Sequence, residues 1–157
     1  MKIALACDHA GFAMKEEVIA VCREAGHDVI DLGAHCFDKD DDYPDFARYV
    51  AQAIQHGQAE RGVLLCGSGV GASIAAAKHR GVRAAVCHDV YSARQGVEHD
   101  DMNVLCMGTR IVGMAMLREL VRAFIGAHFQ PHPRFVRRLE KVNAIEAESC
   151  TPIAEGK

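Results

Sequence analysis

The sequence has no tryptophan, only four prolines and no two cysteines closer than 14 positions, and the cysteine spacing excludes two common kinds of site. A zinc ribbon or a thioredoxin-like centre needs a Cys-x-x-Cys pair, and none is present. The seven cysteines are odd in number, and several lie inside apolar runs, as reduced core residues of a cytosolic protein do. We therefore expect a cytoplasmic protein with no metal site.

The sequence also lacks an excess of positive charge and a long hydrophobic run. It has 18 Lys and Arg against 21 Asp and Glu, a net charge of -3, so no basic field is available for a nucleic-acid backbone. The first apolar stretch ends at Asp8, too early for a signal peptide. The longest uncharged run, 62–77, has 16 residues and four glycines, which is too short for a membrane span. We expect neither nucleic acid nor membrane as a partner.

Short apolar runs alternate with amphipathic stretches along the 157 residues. The runs predict strands over 3–7, 28–32, 62–66, 83–87 and 103–107. The stretches predict helices over 12–25, 44–56, 70–78, 89–97, 111–124 and 134–148. This order predicts an α/β fold, a single Rossmann-like, doubly wound, five-stranded parallel sheet with helices on both faces. We expect residues 1–130 to form it and 131–157 to form a C-terminal helical arm of the same domain.

Polar and glycine residues follow each predicted strand, where folds of this class bind their ligands. These segments are Asp8–His9, an acidic stretch over 38–42 that leads to Tyr43, the loop after Cys66, His88–Asp89, and the Gly-Thr-Arg that ends at Arg110. The candidate site lies at this edge of the sheet. The acidic stretch is expected to face solvent.

A glycine-rich loop before the third predicted helix is the strongest local signal. It consists of Gly67, Ser68, Gly69, Val70 and Gly71. The backbone N–H groups of such a loop can point into one cavity, and the start of a helix favours an anion, either a phosphate or a developing oxyanion. Cys66, just before the loop, is equally consistent with a base or nucleophile and with a buried strand-end cysteine.

Charged residues elsewhere add candidates. Asp8 and His9 could bind hydroxyls, move protons or hold a phosphate, and the planar donor fork of Arg110 suits a phosphate. Arg134 and Arg138 are one helical turn apart and could complete an anion clamp, although a charged helix more often presents such residues to solvent.

Six motifs in a fixed order together carry a family resemblance. They are CDHAGF at 7–12, DYP at 42–44, CGSGVGASIAAAK at 66–78, YSA at 91–93, NVLCMGTRIVG at 103–113 and RFVRRLEKVNAIE at 134–146. Over residues 1–148 the sequence resembles the type B ribose-5-phosphate isomerases, in the group that also holds the galactose-6-phosphate isomerase subunits. The resemblance implies a metal-free and cofactor-free aldose–ketose isomerase that interconverts ribose 5-phosphate and ribulose 5-phosphate through a cis-enediolate.

The resemblance also implies a role for each candidate. Cys66 resembles the base that moves a proton between C2 and C1, and Ser68 the hydroxyl that assists at the oxygens. The N–H groups of loop 67–71 would bind the enediolate. His99, which we place in a loop after the fourth helix, resembles the group that opens the furanose ring with help from Asp8.

The remaining implied roles concern binding and assembly. Tyr43 would line the sugar site, and the phosphate clamp would consist of His9, Arg110, Arg134 and Arg138. In the family the C-terminal arginines reach the neighbouring subunit's site, which implies a homodimer, or a tetramer, with shared sites. Asp100 stands where the family usually has Asn, which changes the hydrogen-bond donors beside the sugar.

Three alternatives remain open. The same reaction could act on an allose, galactose or four-carbon sugar phosphate, because pocket length decides the substrate. The glycine loop also fits the G-x-G-x-x-G/A pattern of a dinucleotide-binding module, with Asp89 at a suitable distance, although that pattern normally follows the first strand. A sugar-phosphate sensor without turnover would lack the base, and the presence of Cys66 and His99 counts against it.

Overall fold

The computed structural model describes residues 1–149 and contains the sheet that the hydrophobic pattern predicts. Its strands are β1 (Lys2–Cys7), β2 (Asp28–Asp31), β3 (Arg61–Cys66), β4 (Ala84–Val86) and β5 (Val104–Gly108). They pair in the order β2-β1-β3-β5-β4, and every neighbouring pair is parallel. The predicted α/β class and five-stranded parallel sheet are confirmed.

The helices connect these strands and cover both faces of the sheet. They are α1 (Lys15–Glu24), α2 (Tyr43–Gln55), α3 (Val70–Ala76), α4 (Val90–Asp100), α5 (Met114–Gly126) and α6 (Pro133–Ser149). The predicted first helix is divided, because residues Phe12–Met14 form a 3-10 turn before α1 begins. Within residues 1–149, no helix is both long and apolar enough to cross a bilayer.

The sheet separates two hydrophobic cores. On one face α1, α4 and α5 pack against residues such as Leu105 and Met107, with Phe124 fully buried among them. On the other face α2 and α3 pack against Ala4 and Leu64. Because helices cover both faces of the sheet, most side chains on both sides of β1, β3 and β5 are buried. This burial explains the continuous apolar runs in the sequence.

The sheet changes winding direction between β1 and β3. The connection after β1 leads to α1 on one face, and the connection after β3 leads to α3 on the other. The two loops therefore diverge and leave a crevice at the carboxyl ends of these strands, which is where open α/β sheets bind ligands.

Helix α4 ends beside the amino ends of the strands, opposite the carboxyl ends where the crevice lies. The Gly62 N–H, near the start of β3, donates to the carbonyl of Asn103 at 2.8 Å, so the chain that leaves α4 lies beside the beginning of β3. The prediction that His99 lies in a loop is wrong, since His99 and Asp100 form the last turn of α4. The six residues of β3 span about 20 Å at ~3.3 Å each, and Cys66 is at the far end of the strand, so His99 and Cys66 lie toward opposite ends of the sheet.

The C-terminal arm begins with α6, which contacts α4. The Gly81 N–H donates to Oε1 of Glu146 at 2.8 Å and fastens the helix to the loop before β4. Val142 and Ile145 remain exposed along the arm. Cys150 and the rest of the predicted arm lie outside the described residues.

Candidate active site

A cavity of about 350 Å³ opens at the carboxyl ends of β1, β3 and β5. Its lining contains Asp8, His9, Ala10, Tyr43, Cys66, Gly67, Ser68, Gly71, Arg110 and Ile111. Most of the residues proposed from sequence for the catalytic and phosphate sites therefore meet in one place. They meet because the ends of parallel strands share one edge of the sheet.

Cys66 is the last residue of β3 and is only 4% exposed. Its Sγ accepts a hydrogen bond from the Gly69 N–H at 3.1 Å, and the Val70 N–H donates to Oγ of Ser68 at 3.3 Å. The loop can turn back on the sulfur because Gly69 has a φ of 81°, a conformation that favours glycine. Two of the five N–H groups expected to bind an anion are thus used inside the loop, while Gly67, Ser68 and Gly71 line the cavity.

The loop after β1 is held by the side chain of Asp8. Its Oδ1 accepts from the N–H groups of Ala10 at 2.9 Å and Gly11 at 3.1 Å. Burial raises the pKa of Asp8, and the two N–H groups oppose that shift. Thr109, which the sequence reasoning did not select, places its hydroxyl 2.7 Å from the Ala10 carbonyl and joins this loop to the end of β5. The sequence feature that could have indicated Thr109 is the Gly-Thr pair directly after a predicted strand.

His9 is bound to a residue of the acidic stretch. Its Nδ1 lies 2.6 Å from Oδ1 of Asp41, and its backbone N–H donates to the same oxygen at 3.0 Å. This hydrogen bond is the main cause that raises the pKa of His9. Asp38 and Asp40 are exposed as predicted, but the prediction is wrong for Asp41, whose side chain is 11% exposed.

Two glycines of the loop lie under larger side chains. The Arg110 side chain covers Gly67, with Nε 3.4 Å from where a β-carbon on the glycine would lie. The Tyr43 ring covers Gly71 even more closely, since a β-carbon there would lie 2.6 Å from Cζ. Gly71 therefore lets the tyrosine form a wall of the cavity.

Besides Gly69 and Val70 of the glycine loop, four residues proposed for the site are not part of this cavity within one chain. The His99 ring stacks on Phe135 of α6 with centroids 3.9 Å apart, and Gln95 lies 2.8 Å from its Nδ1. Asp100 lines a separate groove of about 790 Å³ between the β4 edge and α6. Arg134 and Arg138 are exposed, and their guanidinium groups have no partner among residues 1–149.

One of the remaining histidines joins two strands of the sheet. His88, expected to be surface or structural, accepts a hydrogen bond from the Gly108 N–H at 2.9 Å through Nε2 and so joins the ends of β4 and β5.

In the part of the chain that the structure describes, no group of three or more His, Cys, Asp or Glu side chains could hold a metal ion.

Curated relatives resemble the chain over nearly its whole length. Ribose-5-phosphate isomerase B of Escherichia coli strain K12 is 44% identical over 145 residues, which cover 92% of this chain and 96% of that protein. D-erythrulose-4-phosphate isomerase 2 of Mycolicibacterium smegmatis is 37% identical and covers 93% of this chain and 97% of its own length.

Solved structures and a family model agree with these relatives. Type B ribose 5-phosphate isomerase from Trypanosoma cruzi has a TM-score of 0.90 at 43% identity, covering 94% of this chain and 99% of that one. Ribose-5-phosphate isomerase B from Mycoplasma genitalium with bound ribulose-5-phosphate has a TM-score of 0.88 at 36% identity, covering 94% and 97%. The Ribose/Galactose Isomerase family model matches residues 3–142. The chain belongs to the ribose/galactose isomerase family.

Proposed function

We propose that the chain is an aldose–ketose isomerase that interconverts ribose 5-phosphate and ribulose 5-phosphate. Its family membership and the relatives at 44% and 43% identity support this reaction class. The observation that carries the proposal is the placement of Cys66, a proton-transfer group, at the wall of a cavity shared with His9 and Arg110. A thiol for the sugar carbons and basic groups for the phosphate are the two components that the reaction needs.

Cys66 acts as the base in this mechanism. It takes the proton from C2 of the open-chain aldose, and the electron pair of that bond moves to form the enediolate, with negative charge on oxygen. The backbone N–H groups of Gly67, Ser68 and Gly71 stabilise that charge, since these residues line the cavity beside the sulfur. Cys66 then returns the proton to C1, and the Ser68 hydroxyl moves a proton between the two oxygens.

His9 and Arg110 hold the phosphate in this proposal. Both side chains line the cavity, and the positive charge of Arg110 acts to lower the pKa of His9. Arginine presents a planar donor fork and protonated histidine adds one further donor, so together they match the oxygens of a phosphate. Tyr43 closes the wall between the phosphate and the loop.

A second copy of the chain supplies the remaining groups, which makes the enzyme a homodimer with shared sites. Within one chain His99 lies at the wrong edge of the sheet, and Arg134 and Arg138 extend from the arm into solvent. The surface beside the cavity suits a partner, since Val70, Ile74 and Ile111 are at least half exposed there.

The ring-opening group therefore comes from the partner in this proposal. His99 of one copy opens the furanose beside Asp8 of the other. Asp100, next to His99, lies at the same shared site and contributes a carboxylate where the family usually has an amide.

The site is compatible with a reducing compartment. The structure describes six free cysteines, five of them buried, and buried thiols remain reduced in the cytoplasm. We propose that the enzyme works there.

A coupled isomerase assay tests the function. The substrates are ribose 5-phosphate, allose 6-phosphate, galactose 6-phosphate and erythrose 4-phosphate, each with and without EDTA. We expect turnover of ribose 5-phosphate that EDTA does not change and that Cys66→Ala lowers by ~10³-fold or more, in the range for loss of a general base. Cys36→Ala, which alters an exposed cysteine, is the matched control and should retain activity.

Each other outcome has a definite meaning. Turnover of only a four- or six-carbon substrate would preserve the mechanism and replace the substrate. Full activity in Cys66→Ala would assign the base to another residue. Phosphate-ester binding without turnover would support the sensor, and bound nicotinamide, seen by absorbance, would support the dinucleotide-binding module.

A further inference from the structure

The loop between β2 and α2 brings two side chains to His9. Asp41 binds the imidazole at Nδ1, and the Phe37 ring meets it edge-on, with centroids 6.4 Å apart and planes at 87°. Phe37 is itself supported by an edge contact with Phe12, at 6.2 Å between centroids. The imidazole is thus fixed on two sides by one loop.

The hydrogen bonds of the Asp41 carboxylate within residues 1–149 are both formed with His9. Its Oδ1 accepts from both the backbone N–H and Nδ1 of that residue, at 3.0 and 2.6 Å. Its Oδ2 is buried and has no hydrogen-bond partner within residues 1–149. A buried carboxylate needs a hydrogen-bond donor that faces it, and for Asp41 that donor is His9.

The same contact fixes the direction of the other ring nitrogen. With Nδ1 bound to Asp41, the free donor of a protonated ring is Nε2–H on the far side, and His9 lines the cavity. A carboxylate that binds one ring nitrogen in this way determines both the orientation and the charge of a histidine.

We propose that Asp41 is a positioning residue that keeps His9 protonated and directs its Nε2–H toward the phosphate of the substrate. This inference rests on the proposed function, because it assigns to His9 the phosphate contact proposed there. It identifies one member of an acidic stretch as part of an anion-binding site, through an ion pair that converts the adjacent histidine into a cation.

The charges around His9 determine the pH dependence. Asp41, through its hydrogen bond, and Asp8 both raise the pKa of His9, while Arg110 opposes them. The imidazolium therefore persists above pH ~6.5, the usual pKa of histidine, and is lost as the pH rises through the raised value. Removing the Asp41 charge moves that loss to lower pH, into the range where the substrate phosphate is a dianion.

Asp41→Asn tests the proposal, with Asp40→Asn as the matched control. Both changes remove one negative charge from the same loop, but the Asp40 side chain is 74% exposed and contacts Lys39. At pH 8 we expect Asp41→Asn to raise KM for ribose 5-phosphate by about tenfold while kcat changes less than about twofold, because the phosphate contact exists in both ground and transition states. At pH 5.5 the difference in KM should fall below about twofold, since the imidazole is then protonated without help.

Asp40→Asn should match the unmodified enzyme at every pH. An Asp41→Asn variant whose KM differs from that of the unmodified enzyme by the same factor at pH 5.5 and pH 8 would show a merely structural role and overturn the proposal. Asp41→Glu keeps the charge, so its KM should retain the pH dependence of the unmodified enzyme.

An NMR titration of the His9 ring separates this proposal from the proposed function. The free protein is used, and the His9 signal is identified by its absence in His9→Gln. We expect a lower midpoint in Asp41→Asn and an unchanged one in Asp40→Asn, and equal midpoints in all proteins would overturn the proposal. If ribose 5-phosphate is not turned over at all, the proposed function fails, while the titration still tests the pairing of Asp41 with His9.

Discussion

Tyr43 and Gly71 lie so close together that a β-carbon on the glycine would be 2.6 Å from Cζ of the tyrosine ring. Non-bonded carbons require well over 3 Å, so the ring can keep this position only over a glycine. The contact joins the start of α2 to the start of α3 and forms one wall of the cavity. The identity of residue 71 thereby determines where the residue-43 side chain can stand.

We expect Gly71→Ala to destabilise the protein by ~1–2 kcal/mol, the cost of overpacking, even though alanine is the better helix former. KM should rise at the same time, because a displaced Tyr43 no longer closes the cavity. Urea unfolding and steady-state kinetics measure the two effects.

The same change in a Tyr43→Ala background provides the control. With the ring removed, Gly71→Ala should become neutral or stabilising by up to ~1 kcal/mol, since only helix propensity remains. Equal destabilisation in both backgrounds would show that Tyr43 is not the obstacle.

Mixing two inactive variants tests the shared site. Cys66→Ala and His99→Asn should each be inactive alone on ring-closed substrate. In a mixed dimer with shared sites, one site carries both changes and the other carries neither, so random reassortment of two-fold dimers should restore about a quarter of the activity.

The measurement is the rate after equal amounts of the two variants are unfolded and refolded together. Refolding each variant separately before mixing, with assay before subunits exchange, is the control. If the cysteine and the histidine of one chain served the same site, every site would carry one change and the mixture would stay inactive.

Lys15 is a buried charge that supports the loop carrying Asp41. It is 4% exposed, and its Nζ lies 2.8 Å from Oδ2 of Asp31 and 2.6 Å from the Ala34 carbonyl. Lys15→Met should destabilise the protein by ~2–3 kcal/mol, because it removes the ammonium donor from Oδ2 of Asp31 and from the buried Ala34 carbonyl.

Lys39→Met is the matched control, since Lys39 is 76% exposed and pairs with Asp40 on the surface. It should change stability by less than ~0.5 kcal/mol. Urea unfolding of both variants makes the comparison, and similar midpoints would contradict a structural role for the buried lysine.

The cysteines should differ in reactivity with pH. Burial raises the pKa of Cys22 and of Cys87 to about 11, so at pH 8 only about one thiol in a thousand is ionised at either residue. With iodoacetamide at pH 8, peptide mass spectrometry should find the exposed Cys36 alkylated well before either of them. Because the thiolate is the reactive form, their rates should rise with pH up to about 11.

Unfolding in urea before the reaction should remove the difference between the cysteines. Alkylation of Cys22 at the rate of Cys36 in the folded protein would contradict its burial. Cys36→Ser identifies the fast-reacting peptide.

The strands could be predicted from the sequence because a strand that is buried on both faces needs apolar residues at successive positions. The pattern predicts that Asn103 and Arg83 lie inside strands, whereas β5 begins at Val104 and β4 at Ala84. The two polar residues instead lie just before these strands and bind each other, since the Arg83 N–H donates to Oδ1 of Asn103 at 2.8 Å. The hydrophobic pattern identifies a strand well and its first residue poorly.

The lining of the candidate cavity was predictable where a polar residue ends a strand or follows it closely, as at Asp8, Cys66 and Arg110. Asp41 was missed because its neighbours are exposed acids, and only the path of the loop turns one carboxylate inward to His9. The position of His99 was missed for a topological reason. The last turn of α4 precedes a strand and so lies beside the amino ends of the strands, whereas the other candidates follow strands and lie beside the carboxyl ends.

The length of β3 has a consequence for how the proposed enzyme is switched on. In the proposed mechanism, a chain that has folded alone holds the base Cys66 and the ring-opening group His99 toward opposite ends of the sheet, so the two cannot serve one site within that chain. On this proposal, catalytic competence arises only when two chains assemble. In dilute solution the rate per chain should fall with concentration, and that curve would report the dissociation constant of the assembly.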